Sequence, residues 1–298
     1  MFITNKIRQL KHVSIIYKIK LLMFQLLKIT KLPYYNRLYL INSFLTTHLI
    51  RYNGFLIKEN ENSFTSYFRG LASIDKKEVL LTLRKPPSSD FNVFNQVFVN
   101  EEYRPLINLL EEKNAINESL FVIDAGGNIG AFSVYLNCFL PDASFLIIEP
   151  DESNCKFLNS NITHNEINVR KIIKGGLWSS DGYLEIKRDF RDQTDWAIRV
   201  QESQKPNNLK AYSLKGIMTN LEINIIDILK IDIEGSEKEL FSDKEKITEV
   251  LKKVRFLCIE IHDEFQCREI ITDILINNGF VLREYGETTF GYNKNLVN

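Results

Sequence analysis

The sequence predicts an α/β fold built on a mostly parallel sheet and preceded by a helical extension, and three observations carry that prediction. From Ser119 onward, apolar runs that read as strands alternate with stretches of helical periodicity. A strand, glycine turn and helix follow one another in Phe121-Val-Ile-Asp-Ala-Gly-Gly-Asn-Ile-Gly130. Four strands end in acids: Asp124, Glu149, Asp232 with Glu234, and Glu260 with His262.

Residues 1–58 form the first of three segments, a basic helical extension. They hold ten Lys or Arg and no acid, leaving 28 basic against 38 acidic residues in the remainder, a balance of −10 hidden by a formal net charge of zero. Ile3, Ile7, Leu10, Ile16, Leu21, Phe24 and Leu27 recur at mostly helical spacing, with Lys6, Lys11, Lys18, Lys20, Lys28 and Lys31 among them. Two readings fit this arm. It lies as an amphipathic helix on the anionic inner face of a membrane, a peripheral contact, or it packs on the body with its lysines solvated. Pro33 breaks the first apolar stretch, and a second runs from Leu38 to Ile50.

Residues 59–118 read as an adaptor. Gly54 to Lys58 (at its border), Ser63 to Phe68 and Val79 to Leu83 are β-rich, Arg84 to Asp90 is a loop, and Phe91 to Leu110 is helical in pattern. Residues 119–298 form the main domain. A helix is expected from Ile129 to Leu140, and another after Glu149-Pro150, where Asp151 and Glu152 suit the positive end of its dipole. Val169 to Ile173 gives a third strand. Residues 175–216 are turn-rich, with short strand patterns at Tyr183 to Lys187 and Ala197 to Gln201, and contain Trp178 and Trp196. Ile223 to Gly235 reads as a long apolar strand with acids at its end, and Val254 to His262 as a buried strand that ends in Glu260 and His262, both apolar enough for a parallel sheet. A helix over Cys267 to Asn278 leads to a hairpin, Phe280 to Tyr285 and Thr288 to Tyr292, which implies one antiparallel edge strand.

Composition excludes several classes. Hydrophobic content of 44% and charged content of 26% are those of an ordinary soluble globular protein. The acidic body argues against nucleic acid as the substrate, since phosphate binding needs positive surface. Cys138, Cys155, Cys258 and Cys267 form no C-x-x-C pair and read as buried free thiols of a reducing compartment. No run approaches 18 apolar residues, and Lys18 and Lys20 interrupt what would be a signal sequence, so the expected location is the cytoplasm.

The glycine turn speaks to ligand class. In an open α/β sheet, a turn of this kind between a strand and a helix brings backbone close to a nucleoside, and an acid at the end of the next strand receives the ribose. Glu149 stands 23 residues after Gly126, as that arrangement requires. The dinucleotide fingerprint G-x-G-x-x-G is not met, because Asn128 occupies the middle glycine position. Asp124 before the turn would also repel a pyrophosphate. A cationic ligand reverses that preference, and S-adenosylmethionine carries a sulfonium and an ammonium but no phosphate. A dehydrogenase-like or nucleotide-sugar fold, and a tight turn without a ligand, are the alternatives. On this reading Asp124 orients the methionine end, Gly126 and Gly130 allow close approach, Asn128 holds an unusual backbone angle, and Glu149 binds the ribose.

Asp124-Ala-Gly-Gly-Asn-Ile-Gly130, Ile148-Glu-Pro150, Lys230-Ile-Asp-Ile-Glu-Gly-Ser-Glu237 and Ile259-Glu-Ile-His262, in this order, resemble the FkbM-type methyltransferases. The Lys-x-Asp-x-Glu-Gly-x-Glu signature is the most specific piece. Arg84 with Ser89-Asp90, Phe94 and Tyr103 looks like that family's leading segment, so the resemblance covers roughly residues 84 to 285 and leaves the basic arm outside. It implies the seven-stranded class I methyltransferase fold (Rossmann-like), S-adenosylmethionine as donor, and O-methylation of a hydroxyl on a small-molecule or glycan acceptor such as a sugar or secondary metabolite. Gly175 to Trp178 match the adenine-lining stretch of other families poorly, and adenine contacts stay open.

For catalysis, methyl transfer to a hydroxyl needs the acceptor positioned and its proton removed. Asp232, Glu234 and His262 are the candidates, His262 having the most suitable ordinary pKa. The same residues with Glu260 form a possible divalent-ion set, but no metal is assigned. Lys230, two residues before Asp232 on one strand face, pairs with an acid and fixes the site. Glu237 sits in a helix first turn, and neither is assigned to catalysis. The acceptor pocket is expected from residues 84–105 and 179–216. A second hypothesis is a non-catalytic protein of this fold that binds a partner or membrane through residues 1–58.

Overall fold

The computed structural model describes residues 13–26, 39–69, 78–187, 199–203, 205 and 209–297. Expectations for residues 1–12 and 27–38, and for Trp196, lie outside these. The chain divides into two compact units: residues 1–102 with 159–166, and residues 103–158 with 167–298. Residues 103–118, read from sequence as adaptor, thus group with the second unit.

The first unit carries an α-helix over Ile15–Leu26 and a helical stretch over residues 39–51, which includes a π-helical turn at Phe44–His48. Three antiparallel strands follow: β1 (Phe55–Glu59), β2 (Ser63–Arg69) and β3 (Glu78–Arg84). Phe44 sits at its centre, edge-on to Phe68, Phe91 and Phe94 at centroid distances of 5.9, 4.9 and 5.3 Å. Such pairs add to the area they bury. The expected helix from Phe91 to Leu110 is broken. An α-helical turn, Asp90–Phe94, runs into a π-helical one, Asn95–Val99, and a new helix, Arg104–Glu112, starts after Glu101 takes a left-handed angle (φ 51°).

Two polar devices tie this unit together. Arg84 is buried against Asp90. Its Nη2 donates to Oδ1 at 2.7 Å and its Nε at 3.1 Å, while its backbone N–H donates to Oδ2 at 2.7 Å and Ser88 Oγ adds a further bond. The open side of β3 is met by two asparagines one helical turn apart. Asn165 accepts from Leu80 N–H (2.9 Å) and donates to Leu80 C=O (2.7 Å). Asn161 does the same for Thr82 at 2.7 and 3.3 Å. Side-chain amides thereby stand in for a neighbouring strand.

The second unit is built on a seven-stranded sheet: β4 (Phe121–Ala125), β5 (Ser144–Glu149), β6 (Val169–Lys174), β11 (Ile226–Ile231), β12 (Val254–Glu260), β13 (Phe280–Tyr285) and β14 (Thr288–Asn293), in the order β13-β14-β12-β11-β4-β5-β6. Strands β4, β5, β6, β11 and β12 are parallel, as the sequence predicts from their unbroken apolar runs. Ile123, Leu146, Leu229, Leu257 and Ile259 are all fully buried in one core.

The closing hairpin departs from expectation. The reversed strand, β14, is not at the edge: it pairs with β12 on one side and β13 on the other. Burial explains why. In β14, Thr288, Thr289, Phe290 and Gly291 are buried, whereas most of β13 is exposed or half-exposed and includes Arg283 and Glu284. The polar strand takes the edge, where its charges discourage further pairing.

Between β6 and β11 a second sheet forms from β7 (Gly176–Trp178), β8 (Gly182–Lys187), β9 (Arg199–Glu202) and β10 (Leu209–Ser213), in the order β7-β10-β8-β9. Sheet growth thus runs outward from β4 through β5 to β6, then returns to place β11 on the other side of β4. The carboxyl ends of β4 and β11 flank this switch point, where open α/β sheets bind ligands. Among the described residues no helix is long and apolar enough to cross a membrane.

Replacing Asp90 with Ala leaves the buried Arg84 guanidinium without its carboxylate. The expected loss of unfolding free energy in urea is about 3–5 kcal/mol, and a loss below about 1 kcal/mol would show that the pair is not the tie described.

Candidate active site

The site is assembled where β4, β5, β11 and β12 end. In β4 and β11, Asp124 and Lys230 are register partners on one face, and Asp232 follows on that face two residues later. All three converge on one ammonium. Lys230 Nζ donates to the Gly126 carbonyl at 2.7 Å and lies 3.2 Å from Asp232 Oδ2 and 3.5 Å from Asp124 Oδ1. Burial alone would discharge this lysine, but the Asp232 and Asp124 carboxylates outweigh it and hold its pKa above the ordinary value.

Asp124 is fully buried, and its Oδ2 accepts from Ser133 Oγ at 2.7 Å. Burial raises its pKa, opposed by Lys230 and Ser133. It lies behind the turn and is not among the residues that line the cleft, so the direct one of the two expected routes to the methionine end, directly or through water, has no support here.

The turn is held by its backbone. Gly126 and Gly127 N–H groups both donate to the Ile148 carbonyl, at 2.9 and 3.0 Å. Gly126 has φ 82° and presses on β11: a Cβ there would fall 1.7 Å from the Asp232 carbonyl oxygen. No other residue fits. Asn128 has φ 47°, the left-handed angle expected of it, and its N–H donates to Glu149 Oε2 at 2.8 Å. The buried Asn128 Oδ1 has no hydrogen-bond partner among the described residues.

Glu149 is 3% exposed. Its Oε1 accepts from Asp151 N–H (2.9 Å) and Asn154 Nδ2 (3.1 Å). Burial pushes its pKa up to about 7, against the pull of these bonds and of the Asn128 N–H.

Together, Gly126, Asn128, Glu149, Asp232 and Glu234 line a cleft, with Ile148, Leu177, Val200, Ile233 and Gly175-Gly176 as its less polar walls.

Beyond it, β11 and β12 bring a second group together. Glu234 takes a left-handed angle (φ 53°) and precedes Gly235 (φ 87°), whose α-carbon abuts the Phe265 ring. His262 is buried with carboxylates on both ring nitrogens: Glu237 Oε1 lies 3.2 Å from Nδ1, Glu234 Oε2 3.4 Å from Nε2, and Glu260 Oε1 3.6 Å from Nε2. Burial opposes a charge on this ring, but the bonds to Glu234 and Glu237 prevail and raise its pKa to about 11. Glu237 also accepts from Ile233 N–H at 3.1 Å, so it fixes the loop that carries Asp232 and Glu234. Ligand atoms of Asp232, Glu234 and His262 lie within 4.8 Å of one another. A divalent ion placed among them would have to displace the proton of His262.

The structure thus gathers Gly126, Asn128, Glu149, Asp232 and Glu234 at one cleft, with His262 behind Glu234, Asp124 behind Gly126, and Gly130 (φ 80°) where the turn enters the helix. Sequence reasoning missed Asn154, Ser133 and the link between Glu237 and His262. Asn154 lies in the helix turn after Glu149, a signal that could have found it. Ser133 and Val200 gave none.

Comparison with known proteins agrees with this geometry. The sequence matches the Methyltransferase FkbM domain over residues 124–282, more than half of the chain. It is 26% identical over 192 residues to Methyltransferase sdnD of Sordaria araneosa, covering 54% of this chain and 73% of that protein. It is 22% identical over 142 residues to Methyltransferase 1 of Beauveria bassiana, covering 40% of this chain and 56% of that protein. The crystal structure of the N-terminal domain of human METTL16 in complex with SAH matches with a TM-score of 0.38 at 14% identity, over 62% of this chain and 66% of that one. With the FkbM domain model matching residues 124–282, on a seven-stranded sheet that bears one reversed strand and a glycine turn at its switch point, the chain belongs to the FkbM family of S-adenosylmethionine-dependent methyltransferases.

Proposed function

We infer that the protein transfers a methyl group to a hydroxyl of a sugar, glycan or secondary metabolite, with the donor held in the cleft at the switch point. The observation that carries this reading is the pairing of a ribose-type acceptor, Glu149, with a second carboxylate cluster, Asp232 and Glu234, along one cleft. The chain fits the donor by three features: the Gly126 cradle that a Cβ would fill, the buried Asn128 Oδ1 without a partner among the described residues, and the negative side chains that suit a cation.

When bound, S-adenosylmethionine supplies a methyl group already activated on a sulfonium. What remains for the protein is position and proton removal. Glu149 and Asn128 hold the nucleoside. Lys230 sets Asp232 and the Gly126 carbonyl at the methionine end, and Asp124 acts there through Lys230. Asp232 and Glu234 border the acceptor side, and either carboxylate accepts the hydroxyl proton. His262, expected as a base on its ordinary pKa, serves otherwise in this reading. Its ring stays protonated at neutral pH, donates toward Glu234 and Glu237, and orients them.

Two measurements test this directly. Saturating S-adenosylmethionine, at about 100 times its dissociation constant, should add about 2.7 kcal/mol and raise the melting temperature by several degrees. A methyl-label assay against purified sugars and cell-extract glycans should then show alkali-stable incorporation. Donor binding without incorporation into any acceptor would favour the non-catalytic alternative.

Glu149 offers a pH test. Because folding raises its pKa from 4.5 to about 7, it favours the folded state at low pH, and that contribution is lost as pH rises through about 7. The ionised carboxylate is the better acceptor for ribose hydroxyls, so donor affinity should rise across the same interval. Glu149→Gln should bind roughly tenfold to a hundredfold more weakly and lose the pH dependence. An unchanged profile in that variant would remove Glu149 from the donor site.

Lys230→Met strands the buried Asp124 and the half-buried Asp232 carboxylates and should cost about 3–5 kcal/mol of stability. Adding Asp124→Asn should recover part of that loss in urea unfolding, because the two side chains share one interaction. Additive losses would sink the pairing.

A further inference from the structure

The helix Ile15–Leu26 presents an apolar face that is open among the described residues. Ile15, Ile16, Ile19, Leu22 and Met23 are 68, 61, 53, 64 and 51% exposed. Successive residues of a helix turn by about 100°, which puts these five within an arc of about 120° and a length of about 12 Å. By helical position, Lys18 and Lys20 stand about 40° beyond its two edges. Single exposed apolar residues are ordinary, but a stripe of five on one helix is not.

This helix is tied to its own unit. Val13 before it is buried, and Ser14 donates through its N–H and, at 3.2 Å, its Oγ to Glu59 at the end of β1. The stripe therefore has a fixed exit from the unit. Surface helices normally turn such a face to a core, and this one turns it outward.

Charge selects the occupant. Residues 1–58 hold ten Lys or Arg and no acid. Stripe against stripe in a second copy would bring these like charges together. An anionic bilayer offers acyl chains to the stripe and negative headgroups to the lysines at its borders, whose alkyl stems can follow the apolar surface. We propose that the helix Ile15–Leu26 lies in the plane of an anionic membrane surface and holds the protein there. This is independent of the methyl-transfer reading.

The test is flotation of the full chain with vesicles of phosphatidylcholine alone or mixed with phosphatidylglycerol. The expected result is recovery with the anionic vesicles roughly tenfold above the neutral ones, falling when salt is raised to about 0.5 M. Ile19→Asp with Leu22→Asp should abolish flotation while leaving the melting temperature and its donor-induced shift unchanged. Lys18→Glu with Lys20→Glu should keep the fold and lose the preference for anionic lipid. Equal recovery from both vesicle types, or flotation of the aspartate variant at the wild-type level, overturns the proposal. So does a lipid-free dimer, seen by sedimentation, that the aspartate variant dissociates, because the stripe then belongs to a second copy.

Discussion

The Lys230 ammonium lies between Asp124, Asp232 and the Gly126 carbonyl, and the cleft depends on it. Two carboxylates this close in a buried setting repel, and each costs several kcal/mol to desolvate. One cation shared by both offsets that cost and at the same time pins the glycine turn to the end of β11. The register of β4 with β11 makes the arrangement possible: it sets Asp124 and Lys230 opposite each other, one strand spacing apart.

A second charge balance sits on the acceptor side. His262 lies among Glu234, Glu237 and Glu260, and the carboxylates of Glu234 and Glu237 raise its pKa to about 11 against the effect of burial. The two clusters work alike: in each, one buried cation fixes the direction of acids that face the cleft. The difference is reach. Lys230 touches the glycine turn through the Gly126 carbonyl, whereas His262 touches the loop from Asp232 to Glu237 through two of its side chains. A substitution at either cation therefore disturbs more than one strand end.

Much of this was legible in the sequence because strand ends are marked by composition. Apolar runs that stop at an acid located Asp124, Glu149, Asp232 and Glu260, and alternation of strands with helices placed them on one edge. Asn128 was read as a residue for an unusual backbone angle, and its φ of 47° agrees. What sequence did not show is depth. Asp124 and Glu149 carry the same chemistry and end neighbouring strands, yet one lies behind the turn and the other lines the cleft. Only the side-chain partners, Ser133 and Lys230 against Asn154 and Asp151, separate them. His262 was read as a candidate base from its ordinary pKa, which says nothing about the carboxylates that packing brings from the loop after β11 and the helix that follows it. The inserted position of β14 was hidden as well, since a hairpin pattern does not say which of its strands meets the sheet.

The asparagine contacts on β3 have a consequence of a different kind. Leu80 and Thr82 have both their N–H and C=O groups engaged by Asn165 and Asn161. An incoming chain finds no free register there, so that border of the small sheet neither templates fibril growth nor recruits a peptide by strand addition.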